Sequence, residues 1–272
     1  MSRRPSRTPL PVLDPERHAP SSQRPVRARA RRMASSMEIQ PHQHAWGQLV
    51  FSERGAVRVE TQGPEADHAF IVPPGRAVWI PPGVQHAVTA IQQADLRTVY
   101  IQAGALPWPV CRVMEATPLM RAVVWSLAQD DTPTPPTGTD RAREQALMAL
   151  LLDETQRTRP VHLGLPLPQE PRLRRLCQAL LDEPGRHTDL AGWAAEVGAS
   201  ERTLHRLFRA ELGTGFREWR AQLLLAHGLT LAARGKSMGA IAAELGYASA
   251  SAFSAMVTRT VGMPPKRYFA QA

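Results

Sequence analysis

The stretch from Leu190 to Phe208 constrains this chain more than any other. Ala194 is small where a second helix must cross closely, Gly198 permits a tight turn between two helices, and Ser200 is placed to cap a helix beginning at Glu201. Within that second helix, Leu204, Leu207 and Phe208 fall at helical spacing on one side, with Arg202, His205, Arg206 and Arg209 on the other. Hydrogen-bond donors on an exposed face with an apolar anchor behind them are what a reader of the DNA major groove needs. A second copy of the pattern runs from Met238 to Val257, with Gly246 at the turn, Ser249 at the cap and Phe253 and Val257 as the buried pair. The segment between the copies, Gly215–Ala233, is long enough for a helix of roughly 27 Å. Such a spacer can set two recognition helices ~34 Å apart, one turn of DNA.

Charge divides along the same lines. The 272 residues carry a net +9, distributed as +7 over 1–36, −4 over 37–171 and +6 over 172–272. A slightly acidic middle between basic ends implies a middle domain that avoids DNA and a C-terminal domain that seeks it. Cys111 and Cys177 stand far apart, so neither a disulfide framework nor a cysteine zinc site is indicated, and a reducing, cytoplasmic setting fits. No apolar run reaches the ~18 residues that cross a bilayer, so no membrane partner is expected. Residues 1–36 are rich in Pro, Arg and Ser without an apolar stretch and are expected to be disordered, with Met33 and Met37 as alternative start sites just before the first patterned residues.

From Trp46 to Ile101 the chain reads as short strands at Gln48–Ser52, Ala56–Glu60, His68–Val72, Ala77–Ile80, His86–Ala90 and Leu96–Ile101. Gly and Pro punctuate the turns between them, a pattern of sandwiches and barrels. Leu119–Gln129 and Asp140–Arg157 show helical spacing, flanking a Pro/Thr-rich loop at Asp130–Thr139. Packing against the barrel and dimerisation are both open for this pair. The expected order is a disordered basic segment (1–36), a sensing barrel (37–105), a helical dimerisation or coupling region (106–157), a Pro-rich linker (158–171) and an all-helical domain (172–272). The fold class is therefore α+β with two domains: an N-terminal β-barrel of jelly-roll type, then an all-α domain with two helix-turn-helix units.

The last hundred residues resemble the AraC/XylS family of bacterial regulators. The resemblance is carried by Ala194, Gly198, Ser200, Arg202, Leu204, Arg206 and Phe208 in the first unit. In the second it rests on Ile241, Ala242, Gly246, Tyr247, Ser249, Phe253, Gly262, Pro264, Pro265 and Tyr268. It implies two helix-turn-helix units joined by a linker helix and contacting double-stranded promoter DNA. The expected contacts are Ser200, Arg202, Thr203, His205, Arg206 and Arg209 in the first unit, and Ser249, Ser251, Ser254, Lys266 and Arg267 in the second. Ala250, Ser251, Ser254 and Ala255 stand where family members often place larger polar groups, so base reading should rest mainly on the first unit. Lys266 and Arg267, after Pro264–Pro265 at a helix start, read as phosphate contacts.

Upstream, His42, His44, Gln48, Gly75, Pro81, Gly83 and His86 resemble the two motifs of the cupin barrel, except that Gln48 stands where metal-binding cupins have Glu. Two histidines at i and i+2 on a strand share a face, and a third from a neighbouring strand can join them. Two readings follow: His42, His44 and His86 hold a divalent metal such as zinc, nickel or iron, or they are hydrogen-bonded within a ligand pocket that needs no cofactor. Trp46 and Trp79 are candidate pocket walls beside Gln48. The combined expectation is no enzyme but a homodimeric regulator whose barrel binds a small-molecule effector, with RNA polymerase as partner if it activates. Two alternatives are a metal-dependent cupin enzyme carrying a DNA-binding tail, which Gln48 disfavours, and a barrel that only dimerises.

Overall fold

A computed structural model describes residues 7–11, 18–63, 67–129, 137–161, 164–187 and 189–270. Expectations for residues 1–6, 12–17 and the loop at 130–136 lie outside these. Strands β1–β10 are Thr8–Leu10, Val26–Met33, Met37–His42, Gly47–Ser52, Val57–Gln62, Asp67–Val72, Arg76–Ile80, Gln85–Ala90, Ala94–Ile101 and Arg112–Glu115. Helices α1 (Pro118–Gln129) and α2 (Gly138–Arg157) precede two last strands, β11 (Pro160–Val161) and β12 (Gly164–Leu167). Helices α3–α9 follow: Pro171–Asp182, Leu190–Val197, Glu201–Leu212, Phe216–Ala233, Met238–Glu244, Ala250–Val261 and Pro265–Phe269. The chain forms two compact units, one comprising 7–62 and 74–162, the other containing 63–73 and 163–272.

In the first unit one sheet runs β1-β3-β8-β5 and the other β11-β10-β7-β4-β9-β2. The register of the second sheet assigns its faces. Leu49 lies opposite both Trp79 and Val99, while Gln48 lies opposite Ile80 and Tyr100. Neighbours along a strand point to opposite faces, so Leu49, Trp79 and Val99 share one and Gln48 and Tyr100 the other. The first face is covered by α1 and α2 and forms the apolar core, with Phe51, Met120, Val124, Leu127, Met148 and Leu151. A side chain on Gly47 would place its Cβ 1.9 Å from the Trp79 indole, so this close approach requires glycine. Both helices thus pack on the barrel, yet α1 still exposes Trp125 and Leu119 and α2 exposes Leu150.

The N-terminal segment departs from the expected disorder. Val26–Met33 pairs residue for residue with Ala94–Ile101 as an edge strand, and Thr8–Leu10 runs parallel to Met37–Ile39. Val26, Ala28 and Met33 are buried, as is Arg24, whose Nε donates to Glu144 Oε1 of α2 at 3.0 Å. The arginines of this strand alternate with small apolar residues, and a strand needs only one apolar face. A chain begun at Met33 or Met37 therefore lacks β2.

The second unit is built on α6, which buries Phe216, Trp219, Leu223, Leu224 and Leu229 around its circumference, as a central helix must. Arg220, also buried, directs Nη2 to the carbonyls of Pro184 and Leu245, at 3.4 and 3.3 Å, and lies 5.8 Å from the Tyr247 ring. It ties the first helix pair to the second. The segment read as a Pro-rich linker is strand in part: β11 pairs with β10, and β12 pairs antiparallel with β6. Leu165 and Leu167 alternate inward, and an edge position tolerates Pro166. The β6–β12 ribbon belongs to the helical unit, where Trp219 Nε1 donates to Pro166 O at 2.9 Å and Arg174 pairs with Asp67 at 2.7 Å. The barrel segment expected at 37–105 is thus interrupted by residues 63–73.

Candidate functional site

Two sites emerge, one on each unit. On the helical unit, α4 ends at Gly198 in the left-handed conformation (φ 69°), and α5 starts under Ser200, whose Oγ accepts from Thr203 N at 3.1 Å. Leu204, Leu207 and Phe208 are buried, Phe208 against Phe216 and Trp219. Arg202, His205, Arg206 and Arg209 are all exposed. Their i, i+3, i+4, i+7 spacing places four donors on one stripe. The second pair repeats the geometry: Gly246 has φ 79°, and Ser249 Oγ accepts from Ala252 N at 3.1 Å. Its helix α8 buries Phe253 and Val257 and turns out Ser251, Ala255 and, half-buried, Ser254. Lys266 and Arg267 are exposed on α9. Ser200 and Ser249 act on their own helices: each hydroxyl caps an N-terminus and meets a neighbouring hydroxyl, Thr203 or Ser251, at 2.9 Å.

Inside the barrel unit, His42 ends β3 and stands opposite His86 of β8. His44 lies past the strand end rather than on the same strand, a correction to the shared-face reading; the bulge between Ile39 and His42 sets His42 opposite His86. The rings still converge, with centroids 4.3 Å (His42–His86), 5.1 Å (His44–His86) and 5.8 Å (His42–His44) apart. One nitrogen from each falls within 4.8 Å of the others. Gln48 Oε1 sits 2.8 Å from His44 Nε2 and 3.0 Å from His86 Nε2. Burial lowers the His86 pKa to about 3, helped by the neighbouring His42, and burial also lowers that of His42. His86 and His42 are therefore held neutral.

Trp46 stacks on His44 with centroids 4.8 Å apart and its Nε1 is buried. Trp79, by contrast, is turned to the opposite face of its sheet from Gln48. Its parity on β7 turns it into the core under α1 and α2, where Nε1 donates to Trp108 O at 3.1 Å. The small recess beside the cluster is bounded by His42 and Gln48 together with Arg29, Arg31, Thr98 and Tyr100. Sequence reasoning missed these last four. The period-two spacing of Arg27, Arg29 and Arg31 was the available signal, since it places all three on one face.

Among the described residues no helix is long and apolar enough to cross a membrane. A family model described as an AraC-like ligand binding domain matches residues 24–152, and one described as a helix-turn-helix domain matches residues 193–271. The chain is 33% identical over 233 residues to the HTH-type transcriptional regulator NimR of Escherichia coli K12, covering 85% of this chain and 82% of that one. It is 29% identical over 150 residues to the HTH-type transcriptional activator RhaR of Yersinia pseudotuberculosis, covering 54% of this chain and 51% of that one. Among solved structures, ToxT from Vibrio cholerae aligns with a TM-score of 0.36 at 10% identity, over 90% of this chain and 98% of that one.

Proposed function

Because the chain belongs to the AraC family of DNA-binding transcriptional regulators, with a ligand-binding domain ahead of its helix-turn-helix pair, we propose how its particular residues divide the work. Arg202, His205 and Arg206 read base edges from α5, with Thr203 and Arg209 at the flanks. The second unit, through Ser251, Ser254, Lys266 and Arg267, contributes mainly backbone contacts. The observation that carries this is the exposed donor stripe of α5 set over buried Leu204, Leu207 and Phe208 under a capped N-terminus. Base contacts specify and phosphate contacts position, so a polar α5 beside an α8 of small side chains favours specificity on the first unit.

The effector binds in the recess walled by His42, Gln48 and Tyr100, with His44, Trp46 and His86 around it. A covalent path leads from there toward the helices: β4, which carries Gln48, pairs with β7, and β7 follows directly on β6 of the ribbon on the helical unit. An effector that favours one arrangement of β7 shifts the population competent for DNA. Quantitative footprinting on the DNA flanking the gene, with candidate effectors titrated in, tests the reading. A shift in operator affinity or transcript level is expected, and its absence for every effector found to bind the barrel removes the sensor role. Activation adds RNA polymerase as a partner, and the site of action is the cytoplasm.

The protein works as a homodimer through α1 and α2. Trp125 is 55% exposed and Leu119 45% on α1, with Leu150 38% exposed on α2, large apolar side chains that a second copy of the same helices would cover. Trp125→Glu is expected to convert the dimer to a monomer in light scattering while leaving the melting temperature of the barrel within a few degrees. A dimer of unchanged mass and affinity places the interface elsewhere.

A further inference from the structure

Each ring of the histidine cluster holds Nδ1 against a main-chain carbonyl: His42 at 2.8 Å from Gln40 O, His44 at 2.6 Å from Trp46 O, His86 at 2.9 Å from Val84 O. A carbonyl only accepts, so Nδ1 carries the proton in all three. In a neutral imidazole, Nε2 is then a bare lone pair. The amide of Gln48 meets two such lone pairs, at 2.8 and 3.0 Å. An amide oxygen in that place would set acceptor against acceptor twice over. Either a metal ion or an extra ring proton lies among them, or the amide nitrogen faces the rings.

The cupin resemblance implies a metal ion at such a cluster. The donor set does not fit one well. Three neutral imidazoles and a neutral amide bring no negative charge, and the described wall of the adjoining recess adds Arg29 and Arg31 with no carboxylate. A divalent ion held only by these neutral groups would keep its full charge in a part-buried site unless a bound hydroxide or a ligand anion balanced it. The amide group, on the other hand, has two N–H donors in one plane and finds two bare nitrogens at hydrogen-bond distance.

We propose that Gln48 closes the histidine cluster without metal, its side-chain NH2 donating one hydrogen bond to His44 Nε2 and the other to His86 Nε2. The inference concerns the cluster itself and holds whether or not an effector enters the recess. A ligand that does enter meets an imidazole acceptor at His42 in place of a metal ion.

Nitrogen NMR of the untagged wild-type chain tests the proposal directly. Three imidazoles protonated at Nδ1 are expected, with scalar coupling from the Gln48 side-chain N–H groups across to Nε2 of His44 and His86. Protonated Nε2, or no coupling, overturns it. Calorimetric titration with zinc and with nickel is expected to give no stoichiometric binding to the wild type. Gln48→Glu cannot donate and restores the anionic ligand, so it should bind one ion per chain at least 100-fold more tightly. One zinc per wild-type chain at micromolar affinity or better, lost in His86→Ala, overturns the proposal. So does a folded Gln48→Glu chain that binds no better than wild type.

Discussion

A chain shortened to begin at Met33 or Met37 is expected to lose the cooperative unfolding of the barrel unit and to be degraded rapidly by proteases that leave the full chain intact. The segment removed is one of eight residues in continuous register with β9, and Val26, Ala28 and Met33 lie in the core. Without it, β9 keeps only β4 as neighbour in that sheet and the faces of α1 and Val99 that met β2 are left open. Removal of Arg24 also strands Glu144, itself 9% exposed, as a buried carboxylate without this cation. Breaking a buried pair from one side costs on the order of 3–5 kcal/mol, and each fully buried aliphatic side chain lost adds ~1.5–3 kcal/mol. A domain has only ~5–15 kcal/mol to lose. Circular dichroism melts and limited proteolysis of the full and shortened chains make the measurement; equal melting temperatures would show that β2 is dispensable. Arg24→Met, which keeps the strand and removes the charge, isolates the ion pair and should give a smaller, still cooperative loss.

This strand also shows where sequence legibility ends. Turn residues and caps act locally, so the strands of the barrel from Gln48 to Ile101 and the helices of the C-terminal unit lie within a few residues of where Gly198, Ser200, Gly246 and Ser249 and the Pro/Gly turns put them. Val26–Met33 was illegible because a net-charge argument counts its arginines without asking which face they occupy. Strand parity is another long-range property: whether Trp79 faces the pocket or the helices depends on the register of β7 against β4, which places it opposite Leu49. Residues 164–167 hide their strand behind Pro166, and only the distant partner β6 reveals it. The histidines converge, but not by sharing a strand face: the end of β3 before His44, the bulge that sets His42 opposite His86, and the arginine wall of the recess come from tertiary pairing.

Replacing Arg202 and Arg206 together with alanine is expected to weaken binding to the cognate promoter by on the order of a hundredfold or more. A well-placed bidentate arginine is worth ~1–3 kcal/mol of discrimination. The two side chains stand one helical turn apart on the exposed stripe of α5, close enough that their effects need not add. Neither touches the buried Leu204, Leu207 and Phe208 anchor, so the melting temperature should change little. A loss confined to the cognate site, with binding to unrelated DNA reduced much less, identifies base readers; an equal loss on both marks them as phosphate contacts. Lys266→Ala with Arg267→Ala supplies the contrast. Those two should lower affinity for every sequence alike and reduce the slope of log affinity against log salt by about 0.9 per contact removed. Fluorescence anisotropy on a cognate and a scrambled duplex across a salt series measures all of this at once. If the α5 pair behaved like the α9 pair, specificity would have to move to α8, whose Ser251 and Ser254 offer two hydroxyls where α5 offers two guanidinium groups and an imidazole.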